Sequence, residues 1–187
     1  MKKNTYFIPT GEWSMIENYQ ELMAEAGFFE TDASSANVLL LPGGSDIGMI
    51  PERDKLESDV YNEWTSAGKP VIGVCRGMQM MLTLNGGSLI PHIPDVLGEK
   101  MHTTLSGDWL GQSSWHSTAL GLLTNSRHHQ GFVSAPKDWS ILDYTSDGII
   151  EAVQCQNQFA VQWHPENPEM KNTPAREWWI KMVKAIV

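Results

Sequence analysis

Residues 69–87 read KPVIGVCRGMQMMLTLNGG, and few folds accept that order of residues. A short apolar run, Val71 to Val74, meets a glycine-flanked cysteine and passes at once into a stretch of helical pattern that stops at Asn85-Gly86-Gly87. A short run that is apolar throughout and bounded by turn residues reads as a strand buried on both faces. A strand feeding directly into a helix is the building unit of a parallel sheet. The same grammar recurs upstream. TYFIPT reads as a first strand, SMIENYQELMAEAGF as a helix with Ser14 as N-cap, Glu17 three residues on and Gly27 closing it, and ANVLLLPGG as a second buried strand. PERDKLESDVYNEWTSAGKP then reads as a helix with Pro51 at its start, Gly68 at its end, and Leu56, Val60, Tyr61 and Trp64 at helical spacing.

The second half changes character. WSILDYTSDGIIEAVQCQNQFAVQWHPE holds three extended stretches separated by Ser146-Asp147-Gly148 and Gln156-Asn157-Gln158, the pattern of an antiparallel β meander. PAREWWIKMVKAIV closes the chain as an amphipathic helix with Trp178, Trp179, Met182 and Ile186 toward a core. Leu89 to Leu123, rich in His, Gly and Ser, carries little periodicity. The expectation is an α/β fold over residues 1–187 as one domain, since 187 residues suit a single core better than two.

Net charge sets limits on partners. At −9, with Lys and Arg scattered, the chain offers no basic patch for nucleic acid or an anionic membrane surface. MKKNTYFIPT has no apolar stretch of signal length behind its lysines, and no later segment reads as a membrane span, so a cytoplasmic setting is expected. Two cysteines, Cys75 and Cys155, in unlike surroundings argue against a disulfide framework. Cys155, between Gln154 and Gln156, reads as an ordinary strand residue.

Cys75 sits in Gly73-Val74-Cys75-Arg76-Gly77, the G-x-nucleophile-x-G pentapeptide that makes a sharp strand-to-helix turn and lifts a side chain out of the sheet. A thiol at a helix N-terminus, with the positive charge of Arg76 nearby, is in surroundings that favour thiolate. Alone, the pentapeptide also suits, less well, a small buried cysteine at a tight turn. A nucleophile needs a base and the base an orienting group. VQWHPE offers both: Pro165 biases His164 toward extended backbone, where His164 and Glu166 project to the same side. The third requirement is a pair of donors for a developing oxyanion. The amide of Gly44, in the Pro42-Gly43-Gly44 turn, and the amide of Arg76 are the candidates. A phosphate cradle would lack its lysine and hydroxyl partners here.

Taken together, LLLPGGSDIG, RDKLE, KPVIGVCRGMQMM, NGGSLIPHI, TNSRHHQG, SDGIIEAV and FAVQWHPE resemble, in order, the motifs of the class I (triad) glutamine amidotransferase superfamily. The likeness is greatest to its γ-glutamyl hydrolase-like branch. The resemblance implies a flavodoxin-like central, mostly parallel sheet flanked by helices, and cysteine-dependent hydrolysis of a γ-glutamyl amide through a γ-glutamyl thioester. It makes Cys75 the nucleophile, His164 the base and acid, Glu166 its orienting group, and the amides of Gly44 and Arg76 the oxyanion hole. It places Gly43, Gln79 and His128 at the substrate. It implies a small γ-glutamyl substrate and no cofactor.

Hydrolase relatives carry a longer connection than SDIGMIPE between the glycine turn and the following helix, which leaves the departing amine open. Two further readings stand beside the hydrolase: a glutaminase subunit passing ammonia to a separate synthetase or amidating protein, and a silent binding module on the same fold. His92, His102 and His116 lack the paired spacing of metal ligands, so no metal is expected. His102 and His116 read as solvent-facing or structural. Of His128 and His129 only one can face the nucleophile, since adjacent residues project to opposite sides. Glu151 reads as structural, and Trp163 as a possible wall of the site.

Overall fold

The structure, a computed structural model, describes residues 4–9, 16–98 and 114–187. Strand β1 (Thr5–Phe7) leads to helix α1 (Ile16–Glu25), then to the two-residue β2 (Phe29–Glu30) and β3 (Val38–Leu41). Helix α2 (Pro51–Ser66), β4 (Val71–Val74) and α3 (Arg76–Leu84) follow, with a short α4 (Ile93–Leu97) behind them. The second half gives β5 (Ser114–Ser117), β6 (Leu123–Ser126), β7 (Ser140–Tyr144), β8 (Ile150–Cys155), β9 (Gln158–Val161) and α5 (Pro174–Ala185). Ser14 and His102, named above as a cap and as a non-ligand, lie outside the described residues.

Among the described residues, seven strands form one sheet in the order β2-β1-β3-β4-β9-β8-β7, while β5 and β6 pair separately. β1 to β4 are mutually parallel, β9 adds parallel to β4, and the β7-β8-β9 meander is antiparallel, so within these seven strands β8 runs against the rest. The fold is thus the mostly parallel, flavodoxin-like α/β sheet expected, with the meander continuing it at one edge.

Strand periodicity explains the core. All four residues of β3 are buried, yet Val38 and Leu40 pack with Leu22 and Met23 of α1 and with Trp179 and Val183 of α5. Leu39 and Leu41 pack on the other side with Tyr61 and Trp64 of α2 and Met78, Met81 and Leu82 of α3. Two helical layers therefore sandwich the sheet, which is why the strand shows no polar alternation.

Several expectations needed adjustment. α2 does not bury Leu56, which is 42% exposed; its inner face is Arg53, Glu57, Tyr61 and Trp64. Charged residues hold the inner positions because they pair with one another. α5 buries Ala175, Arg176, Trp179 and Val183, leaving Trp178, Met182 and Ile186 partly covered against the same core. Its start is capped by Thr173, whose hydroxyl accepts the Arg176 N–H at 3.2 Å. β2 has no apolar run to announce it: both of its residues are exposed at the sheet edge.

Candidate active site

Cys75 stands between the end of β4 and the first turn of α3 with φ 51° and ψ −108°, a conformation L-residues rarely adopt. Its two glycines have separate reasons. A Cβ on Gly73 would meet Met81 Sδ and, at 2.9 Å, the Met78 amide nitrogen, so the strand needs glycine for α3 to lie over it. A Cβ on Gly77 would run into the Leu41 carbonyl of β3. The pentapeptide is thus a close-packed crossing of strand and helix that presents the thiol at the carboxyl end of the sheet. The Cys75 N–H donates to the Val161 carbonyl at 2.8 Å, tying the turn to the end of β9, three residues before His164.

That strand adjacency brings the sequence-distant parts together. His164 Nδ1 lies 2.7 Å from Glu166 Oε1, and the imidazole stands close enough to Cys75 for the sulfur's charge to act on it. Burial by itself opposes charge on His164. The Glu166 carboxylate and the Cys75 sulfur, through charge and hydrogen bonds, outweigh it and hold the imidazole well above its ordinary value. Asn125 of β6, fully buried, clamps the His164 backbone from both sides: its Oδ1 accepts the His164 N–H at 2.9 Å and its Nδ2 donates to the His164 carbonyl at 3.2 Å. Trp163 is fully buried in the core on the α1 and α5 side.

The glycine turn closes against the same group. A Cβ on Gly43 would stand 2.9 Å from His164 Cε1 and 3.5 Å from Cys75 Cβ, so only glycine fits between the two. The Gly43 N–H donates to the Tyr19 hydroxyl at 2.9 Å, and its carbonyl accepts from Arg53 Nη2 at 2.8 Å. Tyr19 is held neutral, first by burial and then by the charge of Glu166, although the Gly43 hydrogen bond works the other way. Gly44 has φ 142°, and a side chain there would strike the Arg53 guanidinium. Arg53 Nε pairs with Glu57 Oε1 at 2.7 Å, and the Arg76 guanidinium pairs with both Glu57 and Asp54.

This corrects one expectation: the charge of Arg76 is bound by two carboxylates and does not stand as an uncompensated cation beside the sulfur. Its backbone N–H, in the first turn of α3, has no partner within the helix. Arg53 and Glu57 thereby link the two backbone segments named as oxyanion donors.

Gln79 and His128 are both buried. Gln79 Nε2 donates to the Gln130 carbonyl at 3.1 Å and to Gln162 Oε1 at 3.2 Å, and Gln162 Nε2 lies 3.5 Å from Cys75 Sγ. His128 turns inward, with Nδ1 2.9 Å from the same Gln130 carbonyl and Nε2 3.7 Å from Glu151 Oε1. His129 faces the other way, half exposed, with Nε2 2.8 Å from Asp46 and Nδ1 3.1 Å from His92. His116 is buried, 3.4 Å from Glu151. Burial raises the Glu151 carboxyl above its usual range, His116 pulls it back, and Asp143 and Asp147 add to the rise. Among the described residues no group of three or more His, Cys, Asp or Glu is placed to hold a metal. Cys155 is half-buried and not in a disulfide.

Tyr19, Arg53, Asn125 and Gln162 were missed by sequence reasoning. Arg53, Asn125 and Gln162 did lie in the quoted motifs RDKLE, TNSRHHQG and FAVQWHPE, but no role was assigned to them there.

A mostly parallel sheet of this order with a cysteine at its strand-to-helix turn is the arrangement that a class I glutamine amidotransferase-like fold presents. The chain belongs to the Peptidase C26 family, which it matches over residues 34–166. It is 32% identical to a Mycobacterium tuberculosis protein that is named only by likeness to glutamine amidotransferases, over 127 residues, covering 62% of this chain and 41% of that protein. A glutamine amidotransferase-like protein of Lactococcus lactis is 30% identical over 186 residues, covering 85% of this chain and 72% of the relative. A gamma-glutamyl-gamma-aminobutyrate hydrolase of Escherichia coli is 29% identical over 143 residues, covering 66% and 56%. The chain therefore spans from about two fifths to under three quarters of the length of these curated relatives. In fold it matches the crystal structure of a glutamine amidotransferase from Thermotoga maritima with a TM-score of 0.65 at 14% identity, covering 100% of this chain and 95% of that one. Among the described residues no helix is long and apolar enough to cross a membrane.

Proposed function

We propose that the chain hydrolyses the side-chain amide of glutamine or of a γ-glutamyl amine through a thioester on Cys75. The observation that carries this reading is the pairing of His164 with Glu166 at 2.7 Å, with the imidazole standing beside Cys75 across the Gly43 turn. Cys75 attacks the amide carbonyl carbon while its proton resides on His164, and the developing oxyanion is received by the Gly44 and Arg76 amides. His164 then gives its proton to the departing nitrogen, ammonia or amine leaves, and the γ-glutamyl thioester remains. Water, deprotonated by His164, attacks that thioester and returns the thiol and glutamate. Glu166 keeps the imidazole oriented and stabilises its charged form. The buried Gln79 and His128 shape the floor beneath the substrate, and Gly43 borders it.

A second reading, a glutaminase subunit supplying ammonia to a separate synthetase, is favoured by the short connection from Gly44 to α2 and by relatives named GMP synthase (glutamine-hydrolyzing). One assay separates the two: glutamate release by the purified protein from glutamine and from a panel of γ-glutamyl amines, with Cys75→Ala as the blank. Cys75-dependent release, faster from one amine than from glutamine, is the expected outcome and names the leaving group. Silence on every substrate, with Cys75 still labelled by a glutamine-like electrophile, assigns the ammonia-supplying role instead; turnover by Cys75→Ala would refute both.

A further inference from the structure

The hydrogen-bond chain beside the nucleophile has a direction that its own chemistry fixes. A carboxamide can be turned either way around, so the facing of any one glutamine is ambiguous on shape alone. Here the ambiguity is removed at one end. The Gln130 carbonyl is a backbone oxygen and can only accept, so Gln79 must present its nitrogen to it, at 3.1 Å. The second hydrogen on that nitrogen then points at Gln162, at 3.2 Å, and Gln162 must answer with its oxygen. The remaining end of the Gln162 carboxamide, its N–H donor, is thereby aimed at Cys75 Sγ, at 3.5 Å. Gln162, Gln79 and Gln130 are all buried, so water does not compete for these bonds. The backbone is fixed at both ends too: the Gln162 N–H donates to the Glu151 carbonyl at 2.9 Å and the Gln79 N–H to the Cys75 carbonyl at 3.1 Å.

We propose that Gln162 is a further partner of the nucleophile, its carboxamide N–H stabilising negative charge on Cys75 Sγ, and that Gln79 is the positioning residue that fixes which end of Gln162 faces the sulfur. This rests on Cys75 being the nucleophile, as proposed above, and gives Gln79 a task that exists before any substrate arrives. A donor to sulfur favours thiolate over thiol, because a thiolate accepts a hydrogen bond far better than a neutral thiol does. The sulfur thus has the Gln162 donor in addition to the neighbouring His164 imidazole.

The test needs no knowledge of the substrate. In a Cys155→Ser background Cys75 is the sole thiol of the sequence, and its alkylation by iodoacetamide is followed from pH 5 to pH 9. In Gln162→Leu the rate on the acid limb of that profile falls about tenfold, the loss expected for a hydrogen bond to a charged group, while the alkaline plateau is unchanged. Gln79→Leu loses a comparable factor although it does not touch the sulfur.

Gln79→Glu, nearly isosteric, guards against a variant that fails to fold. Its carboxyl has no second hydrogen to give Gln162 while the Gln130 carbonyl is served, so the facing of the Gln162 carboxamide is no longer fixed and the acid limb falls. Folded Gln79 variants that alkylate like the parent and show only a raised KM for glutamine would reduce Gln79 to a substrate contact and overturn the inference. A parent whose Cys75 reacts only as an ordinary alkaline thiol, with Cys75→Ala still active, would instead remove the nucleophile reading and this inference with it.

Discussion

His164 draws its proton affinity from both sides at once, and that makes its chemistry readable as stability. Its value in the folded chain lies above that of the unfolded chain, because Glu166 and Cys75 favour the imidazolium more than burial penalises it. Such a group contributes stability that is complete below the unfolded value, about 6.5 for histidine, and that is lost as pH rises through the raised folded value. Glu166→Gln keeps the shape and removes the charge. The melting temperature of the wild type should therefore exceed that of Glu166→Gln in mildly acidic and neutral buffer, and the gap should narrow as pH rises into the alkaline range. A gap that widens with pH would show that His164 is neutral in the folded chain. At this scale Cys75, His164 and Glu166 were legible because each sits in a local pattern with its own physical reason: an elbow between glycines, and an extended His-Pro-Glu. Tyr19 and Asn125 were not. A tyrosine on a helix and an asparagine on a strand carry no local mark of touching Gly43 and His164, which lie far along the chain.

Helix α2 shows the same division one level up. Its bounds could be read from Pro51 and Gly68, but its inner face could not, because periodicity rules assume that buried positions are apolar. Arg53 and Glu57 occupy that face one turn apart, and the partner that makes their burial tolerable, Arg76, belongs to α3. Removing one member of a buried, paired set leaves the others without compensation. Glu57→Ala should lower unfolding free energy by about 3–5 kcal/mol, seen as a lower midpoint in urea denaturation. The same variant should lose activity, since Arg53 also holds the Gly43 carbonyl. A change below about 1 kcal/mol would mean that water or another side chain compensates the arginines. Helix α3, by contrast, has the bounds its sequence announces, Arg76 to Leu84, because a strained elbow starts it and Asn85-Gly86-Gly87 ends it.

In the whole molecule, the candidate site is assembled by one adjacency: β9 lies between β4 and β8, so the strand that ends before His164 runs beside the strand that ends before Cys75. The central strands β3, β4 and β9 are flanked by strands on both sides, whereas β2 and β7 are edges. Native-state hydrogen exchange should rank them accordingly, with amides of β3, β4 and β9 opening only on global unfolding and those of β2 and β7 exchanging by local opening. Equal protection at edge and centre would contradict this order. The amino-acid sequence alone determined the alternation of strands and helices, the meander, the elbow at Cys75 and the His164–Glu166 pair, because strand and helix periods and turn chemistry act over a few residues. Only the tertiary structure decided the strand order, the ionic face of α2, the inward turn of His128, the compensated charge of Arg76 and the direction of the glutamine chain. Those depend on which distant residues meet, and a buried polar group is explained by its partners, not by its neighbours in sequence.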